Sequence, residues 1–577
     1  MLSTLPATMA FSWASLGWML VFFWYFSTSL QLFILVTGHS GTNGFRDSLL
    51  FSSLWLIPAF LFPGYSMIIA TVVGIILWAT SLCSLAYYVI YRQEFSQSVL
   101  FTMFESNATE AREYFSQYFS ARLAIVLVLY TAVGLVLWHQ LQPVYIPSPW
   151  RYVAAFVIFY VLLGHMLLRD ILIRRRKAPR IIAHVMSRIE PAAPWQMVSA
   201  YYQYRNQLGS LQSLMQENNS LAPLAELKDR TGDEPRTLVL VLGESTQSGR
   251  MSLYGYGRET TPLLDAMRAG DPQLTVFDDV VSARPYTLEI MQQILTFADE
   301  LNPDLYLTQP SLMNMMQQAG YKTFWITNQQ TMTKRNTMLT VFSKQTDKQY
   351  YMNNQRTQSA RQYDDVVFAP FQEALEDSAP KKLIIVHLLG THINYKYRFP
   401  ESYAKFTGTD AFVPQGLNAQ QLESYNDYDN ANLYNDYVVA TLINQYKATQ
   451  PHGFLVFFSD HGEEVYDTPP HDIQGRNEGA PTRPMYRVPY LHWLSPSWEQ
   501  QYAGEYAIDT GRPYSLSQFI HTWSDMAGLS YQGWEPEKSL VNTLFQPQTR
   551  WIGDPYKKNG LWDFDKLPVD SVAVAPR

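Results

Sequence analysis

Between Leu16 and Leu168 the chain runs through five almost unbroken apolar segments, and nothing else limits its fold as strongly. Such stretches must be packed away from water or placed in lipid. They are Leu16–Val36, Leu49–Phe62, Met67–Tyr91, Leu123–Trp138 and Tyr152–Leu168, several of them close to the ~20 residues that a helix needs to cross hydrocarbon. They predict a transmembrane anchor of about five helices over residues 1–189. No basic residue precedes the first run and no small-residue cleavage site follows it, so it is expected to remain as an anchor rather than leave as a signal peptide. Gln31 and Pro58 are tolerable inside a bundle, where neighbouring helices satisfy freed polar groups. Residues 95–120 mix Phe101, Phe104, Tyr114, Phe115, Tyr118 and Phe119 with the charges of F-E-S-N-A-T-E-A-R-E. This pattern suits an amphipathic segment at the membrane surface, with a solvated loop as the plainer reading.

Beyond the anchor the pattern changes. Residues 190–235 hold Pro191, Pro194, a Tyr/Gln/Asn-rich stretch and the polar run Lys228–Glu234, a connecting helix and linker. From 236 to 577 short apolar runs alternate with longer amphipathic stretches, the rhythm of an α/β domain with a mostly parallel sheet, followed by a C-terminal extension. A net charge of -7 and no long Lys/Arg stripe in this half argue against nucleic acid as a partner. The single cysteine, Cys83, lies in an apolar run, which rules out a disulfide framework or a cysteine zinc cluster. No nucleotide-binding glycine motif is present.

The sidedness signals conflict. Arg169, Arg174, Arg175, Arg176 and Lys177 follow the last apolar run, and the positive-inside rule would keep that end in the cytoplasm. An odd number of spans from a cytoplasmic N-terminus would send the C-terminal domain across.

Four strand-like runs end in polar residues. T-L-V-L-V-L-G-E-S ends in Glu244, Y-K-T-F-W-I-T-N in Asn328, L-I-I-V-H-L-L-G-T-H in His392, and F-L-V-F-F-S-D-H-G-E-E in Asp460 and His461. Open α/β sheets bind ligands outside the carboxyl ends of their strands, so these residues are expected to converge on one crevice. Taken singly each has a plainer explanation: a helix cap for Glu244, a hydrogen-bonded loop histidine for His392, a tight turn for Asp460-His461-Gly462. Together, Asp460, His461 and Glu244 offer oxygen and nitrogen ligands suited to zinc.

With no cysteine in this half, a nucleophile has to be a hydroxyl, a carboxylate or a histidine. S-A-R-P-Y-T followed by L-E-I-M-Q-Q-I-L reads as a loop entering a helix, which puts Thr287 near a helix N-terminus. Metal coordination would favour its alkoxide, and an ordinary N-cap is the alternative. Glu463 and Glu464 are either partners of the metal ligands or solvated loop carboxylates. Lys334 and Arg335 either steer phosphate or are surface charges. The run Y-N-D-Y-D-N-A-N-L-Y-N-D, with Asp429 and Asn430, is expected to begin a helix and help shape the pocket, and is given no catalytic role.

The ordered set G-E-S-T, L-Y-G-Y, R-E-T-T-P, R-P-Y-T, I-T-N-Q-Q, H-L-L-G-T-H, Y-N-D-Y-D-N and F-S-D-H-G-E-E resembles the phosphoethanolamine transferases that decorate Gram-negative lipopolysaccharide. It is most similar to the branch acting on the lipopolysaccharide core. The resemblance implies an alkaline-phosphatase/sulfatase-like fold, a multi-pass inner-membrane protein with a periplasmic catalytic domain, and zinc held by Glu244, Thr287, Asp460 and His461. It further implies that His392 and His471 line the donor phosphate site, and that Ser106 and Glu110 approach the ethanolamine or the acceptor. Asn328, from its strand end, and Lys334, from the phosphate-steering reading, are candidate substrate contacts beside them. Ala283 departs from the disulfide cysteine usual in the lipid A group, and Thr102 from an asparagine common there.

The expected reaction is transfer from phosphatidylethanolamine to lipopolysaccharide, at core heptose or its phosphate, through a phosphoethanolamine-threonine at Thr287. Competing readings are a phosphoglycerol or other headgroup transferase, a phosphodiesterase, and an inactive membrane receptor or assembly protein. A sulfatase would need a Cys or Ser in a C/S-x-P-x-R context, which Ser282-Ala283-Arg284-Pro285 does not supply. Oligomeric state is not legible.

Overall fold

A computed structural model describes residues 11–37, 42–91, 100, 103, 119–174, 178–216, 221–329, 338–353, 362–557 and 559–569. They divide into two compact units, the division falling inside the helix Trp195–Gln216. Thr102, Ser106, Glu110, Arg175, Arg176, Lys177, Lys334 and Arg335 lie outside the described residues, as does most of the segment 95–120.

In the first unit, four described helices are long and apolar enough to cross a membrane: α1 (Trp13–Val36), α2 (Ser66–Tyr91), α3 (Ala121–His139) and α4 (Trp150–Ile173). Ser12 and Ser120 cap α1 and α3, accepting from Ser15 N at 3.3 Å and Leu123 N at 3.2 Å. Met19, Phe22, Phe23 and Phe26 of α1 pack on Ala70, Val73 and Leu77 of α2 and on Tyr130 of α3. The Tyr130 hydroxyl donates to Phe26 O at 2.7 Å, so this buried polar group is satisfied as lipid surroundings require. Ile125, Val128, Leu129 and Val136 of α3 stay exposed, an apolar outer face of the kind lipid covers.

The expected span Leu49–Phe62 is not one long helix. It is divided among an α-helix Thr42–Ser52, a 3-10 turn Ser53–Trp55 and a short helix Leu56–Leu61. Pro58 has no N–H to return to the preceding turn, which accounts for the tightening there.

The second unit is built on a seven-stranded sheet. Its strands are β1 (Arg236–Gly243), β2 (Leu274–Phe277), β3 (Lys322–Thr327), β4 (Lys348–Tyr351), β5 (Lys381–His387), β6 (Phe454–Ser459) and β7 (Tyr490–Leu494). They lie in the order β2-β7-β6-β1-β5-β3-β4. Only β7 runs against its neighbours, so the sheet is mixed and mostly parallel. Central strands such as β1, β5 and β6 are buried on both faces, which is why they read as continuous apolar runs without alternation.

α5 (Thr287–Ile294) follows the R-P-Y-T loop. The 30-residue α6 (Ala419–Ala448) is started by a capping box of Asn418 and Gln421. Tyr428, Ala431, Val438, Val439, Leu442, Ile443 and Tyr446 share its buried face, spaced at three and four residues, and join the core with Val239, Ile384 and Phe457 of the sheet.

Candidate active site

β1 and β6 are parallel neighbours with Gly243 opposite Ser459, so the next residues, Glu244 and Asp460, emerge side by side at the carboxyl edge. His461 follows Asp460. All three are buried, and one ligand atom from each lies within 4.8 Å of the others. Glu244 Oε1 is 3.2 Å and Asp460 Oδ2 3.4 Å from His461 Nε2.

The remaining atoms of these side chains are committed elsewhere. Asp460 Oδ1 accepts from Ser245 N at 3.1 Å and His461 N at 2.7 Å, while Oδ2 is buried without a hydrogen-bond partner. His461 Nδ1 lies 2.8 Å from the Gly462 carbonyl. A carbonyl can only accept, so Nδ1 carries the proton and Nε2 presents its lone pair to the two carboxylates. Glu244 Oε2 accepts from Thr287 Oγ1 at 3.0 Å and from Gln329 Nε2 at 3.1 Å.

Thr287 opens α5, but Tyr286 holds the cap position and the threonine hydroxyl turns toward Glu244. Thr287 Oγ1 is also 3.4 Å from His461 Nε2. Two carboxylates, an imidazole lone pair and a hydroxyl therefore converge in a water-poor place, a donor set that fits zinc with N/O ligands. The electrostatics point the same way. Burial opposes ionisation of Glu244, but its polar contacts with His461 and the charge of Arg476 behind them outweigh it and hold the carboxyl well below its usual range. Burial, and then the Glu244 charge, push Asp460 up to about 7.

His392 stands at the end of the loop after β5, which is fastened to Glu244: Thr391 N and Oγ1 donate to Glu244 O at 3.0 and 3.1 Å. Burial pushes the His392 imidazole down to about 3, against the opposing Glu244 charge. Asp364 holds this loop from below, accepting from Leu389 N at 2.9 Å and Gly390 N at 2.8 Å. Asn328 does reach the same edge, but its amide nitrogen donates to Asp364 at 2.9 Å and to Gln362 O at 3.2 Å, which makes it a fastening of the loop. His471 Nδ1 donates to Tyr466 O at 2.8 Å. Its loop is organised by Glu464, which accepts from Asp467 N, Thr468 N and the Thr468 and Thr482 hydroxyls at 2.6–2.9 Å.

Glu463 and Glu464 are both fully buried, so the reading of solvated loop carboxylates does not hold. Asp429 of α6 is buried between two arginines, accepting from Arg250 Nε at 2.8 Å and Arg258 Nη1 at 2.7 Å. Tyr428 donates to Ser245 O at 2.8 Å, so α6 supports the turn that follows Glu244. Beside the buried Ala283, Arg284 pairs with Glu478 at 2.9 Å, both 3% exposed, and links the Thr287 segment to the segment carrying Arg476. Gln329 and Arg476 reach the site although neither was singled out from the sequence. Gln329 directly follows Asn328 at the end of β3, where the strand-end rule could have found it, whereas Arg476 comes from a loop with no such signal.

Residues 236–529 match the Sulfatase family. Over 97% of its length and 97% of the relative's, the chain is 66% identical to phosphoethanolamine transferase EptC of Escherichia coli O18:K1:H7. It is 64% identical to phosphoethanolamine transferase CptA of Salmonella typhimurium, covering 98% of this chain and 99% of the relative. The chain belongs to the EptC/CptA phosphoethanolamine transferase family. The crystal structure of the C-terminal periplasmic domain of Escherichia coli EptC, in complex with Zn, covers 60% of the transferase and is itself covered to 98%, at 70% identity and a TM-score of 0.60. The transferase is thus a sulfatase-like enzyme with apolar membrane helices, an inner-membrane protein whose second unit is periplasmic. The basic residues after α4 pointed the other way. Long domains translocate largely regardless of flanking charge, which is why that cluster is a poor guide here.

Proposed function

We propose that the transferase takes phosphoethanolamine from phosphatidylethanolamine and passes it to lipopolysaccharide, at core heptose or its phosphate, by way of Thr287. The observation that carries this reading is the position of Thr287 Oγ1, 3.0 Å from Glu244 Oε2 and 3.4 Å from His461 Nε2. Glu244, Thr287, Asp460 and His461 would hold zinc, which supplies Lewis-acid stabilisation of charge when bound. The names of the relatives and the zinc complex of the Escherichia coli domain support the donor group and the metal.

In the first half-reaction Thr287 Oγ1 bonds to phosphorus as the bond to the diacylglycerol oxygen breaks, and the threonine proton ends on that departing alcohol. In the second, an acceptor oxygen displaces Thr287, whose hydroxyl is restored by the acceptor's proton. Such a double displacement has ping-pong kinetics. His392 is neutral at neutral pH because of its burial, so it serves as a hydrogen-bonding or proton-relaying group, not as a fixed cation. His471, with Nδ1 committed to Tyr466 O, offers Nε2 to the donor phosphate or the leaving oxygen.

The anchor keeps the site beside its lipid donor, which raises effective concentration. A periplasmic second unit with a cytoplasmic N-terminus needs an odd number of crossings. The broken helical stretch Thr42–Leu61 is taken as the fifth.

The test is the intact mass of the zinc-loaded full-length protein after incubation with phosphatidylethanolamine and no acceptor, beside Thr287→Ala. Added phosphoethanolamine on the wild type alone is expected. Donor turnover without any adduct would remove the threonine intermediate.

A further inference from the structure

Arg476 enters the centre from outside the sheet, its side chain 14% exposed. Nη1 lies 2.7 Å from His461 Nε2 and 4.0 Å from Glu244 Oε1. Nε lies 3.3 Å from Glu463 Oε2, and the guanidinium carbon is 5.8 Å from the ring of Tyr286, the residue before Thr287. Glu463 is itself fully buried and accepts from the Tyr395 hydroxyl at 3.2 Å, so the carboxylate that faces Arg476 is held in place. The Arg284–Glu478 pair, two residues along from Arg476, fastens the loop to the Thr287 segment.

A guanidinium is a rigid plane of five N–H donors. Here one edge faces Glu463 and the other meets the lone pair of His461. That lone pair serves one partner at a time. With that lone pair committed to a metal, Nη1 would be free to donate elsewhere, on the same side of His461 Nε2 that Thr287 Oγ1 approaches to 3.4 Å, with Glu463 still holding the other edge. A phosphoryl group carried by Thr287 needs cationic donors for its non-bridging oxygens, where negative charge spreads in the transition state.

We propose that Arg476 donates to a non-bridging phosphoryl oxygen during transfer to and from Thr287, with Glu463 as its positioning residue, and that it caps His461 Nε2 when no metal is bound. This rests on the reading of Thr287 as phosphoryl carrier. The bonds made and broken are those of the two half-reactions of the Thr287 route; Arg476 keeps its protons throughout.

The test compares full-length wild type with Arg476→Lys, Arg476→Gln and Glu463→Gln. Zinc affinity is read by chelator competition, folding by the melting midpoint with zinc, and chemistry by adduct formation and steady-state transfer. Arg476→Gln is expected to bind zinc at least as tightly as wild type, because a competitor for His461 is gone, yet to slow both half-reactions about 100-fold. Arg476→Lys should recover part of the rate, and Glu463→Gln should fall between wild type and Arg476→Gln. A rate for Arg476→Gln within threefold of wild type overturns the proposal. So does a tenfold loss of zinc affinity whose effect on rate disappears in excess zinc, since Arg476 would then only support the metal site. If Arg476→Gln does not fold, Arg476→Lys decides, and wild-type transfer by that variant overturns the proposal. Wild type that turns over without an adduct removes the threonine intermediate, and the ratio of steady-state rates still decides on Arg476.

Discussion

Gly390 lies so close to Glu244 that a Cβ at residue 390 would sit 2.7 Å from Glu244 O and 2.9 Å from Glu244 N. Its φ of +52° is a second reason for glycine, since a side chain in left-handed backbone costs about 1–2 kcal/mol.

Gly390→Ala should therefore displace Glu244 or the His392 loop while the sheet beneath stays folded. A shift of ~1 Å in a catalytic group is worth about 100-fold in rate, and that is the expected loss of transfer activity. Kinetics beside a melting curve would check it. Full activity in the variant would mean that the loop yields without moving Glu244.

Asp429 is buried against two arginines and accepts from the Tyr256 hydroxyl as well, at 3.0 Å. Asp429→Asn removes the charge the two arginines share and leaves Arg250 with Asp467 at 3.0 Å and Arg258 with Asp410 at 2.8 Å, a change of about 1.5–3 kcal/mol. Denaturant unfolding of the purified transferase should register it. A midpoint equal to wild type would show that Asp467 and Asp410 suffice for the arginines.

Asp436 accepts from Leu263 N at 2.8 Å and Leu264 N at 2.9 Å, and burial pushes its carboxyl up to about 7. The unfolded value is ~3.9, so the folded state keeps a proton that the unfolded chain has lost. The resulting stabilisation is fully present below ~4, fades as pH rises to about 7 and stays lost above it. Asp436→Asn abolishes this titration. Relative to the variant, the wild-type melting midpoint should fall from pH 4 to 7 and run level with it above pH 8; a difference independent of pH would contradict the assignment.

Chelating zinc should lower the melting midpoint of the periplasmic unit and leave the helical anchor unchanged. A ligand present at 1,000 times its dissociation constant stabilises by about 4 kcal/mol. Glu244→Gln should remove that zinc-dependent shift. Persistence of the full shift in Glu244→Gln would place the ion elsewhere.

Glu244, Asp460 and His461 were legible because parallel strands announce themselves as unbroken apolar runs, and the residues just past the end of such a run lie at the binding edge. Asn328 obeyed the same rule and reached the edge, yet its amide fastens Asp364, a difference that only side-chain geometry reveals. Gln329, one residue past Asn328, lay within reach of the same rule, while Arg476 left no trace because loops have no period. The Leu49–Phe62 run shows the opposite limit: apolar composition marks a stretch suited to lipid but not where Pro58 interrupts its hydrogen bonding. The Y-N-D-Y-D-N run reads as the start of a helix that helps shape the pocket; it lies instead within α6, which begins at Ala419, and forms an internal frame. Asn426 and Asp429 meet arginines there, and Asn430 and Asp436 accept from backbone amides.

One carboxylate ties together two strand ends. Asp364 receives Leu389 N, Gly390 N and the Asn328 amide at once, from the residues after β5 and β3. The wall bearing His392 is consequently assembled when the chain folds, and whatever reaches this edge meets a standing shape rather than one that must first be built.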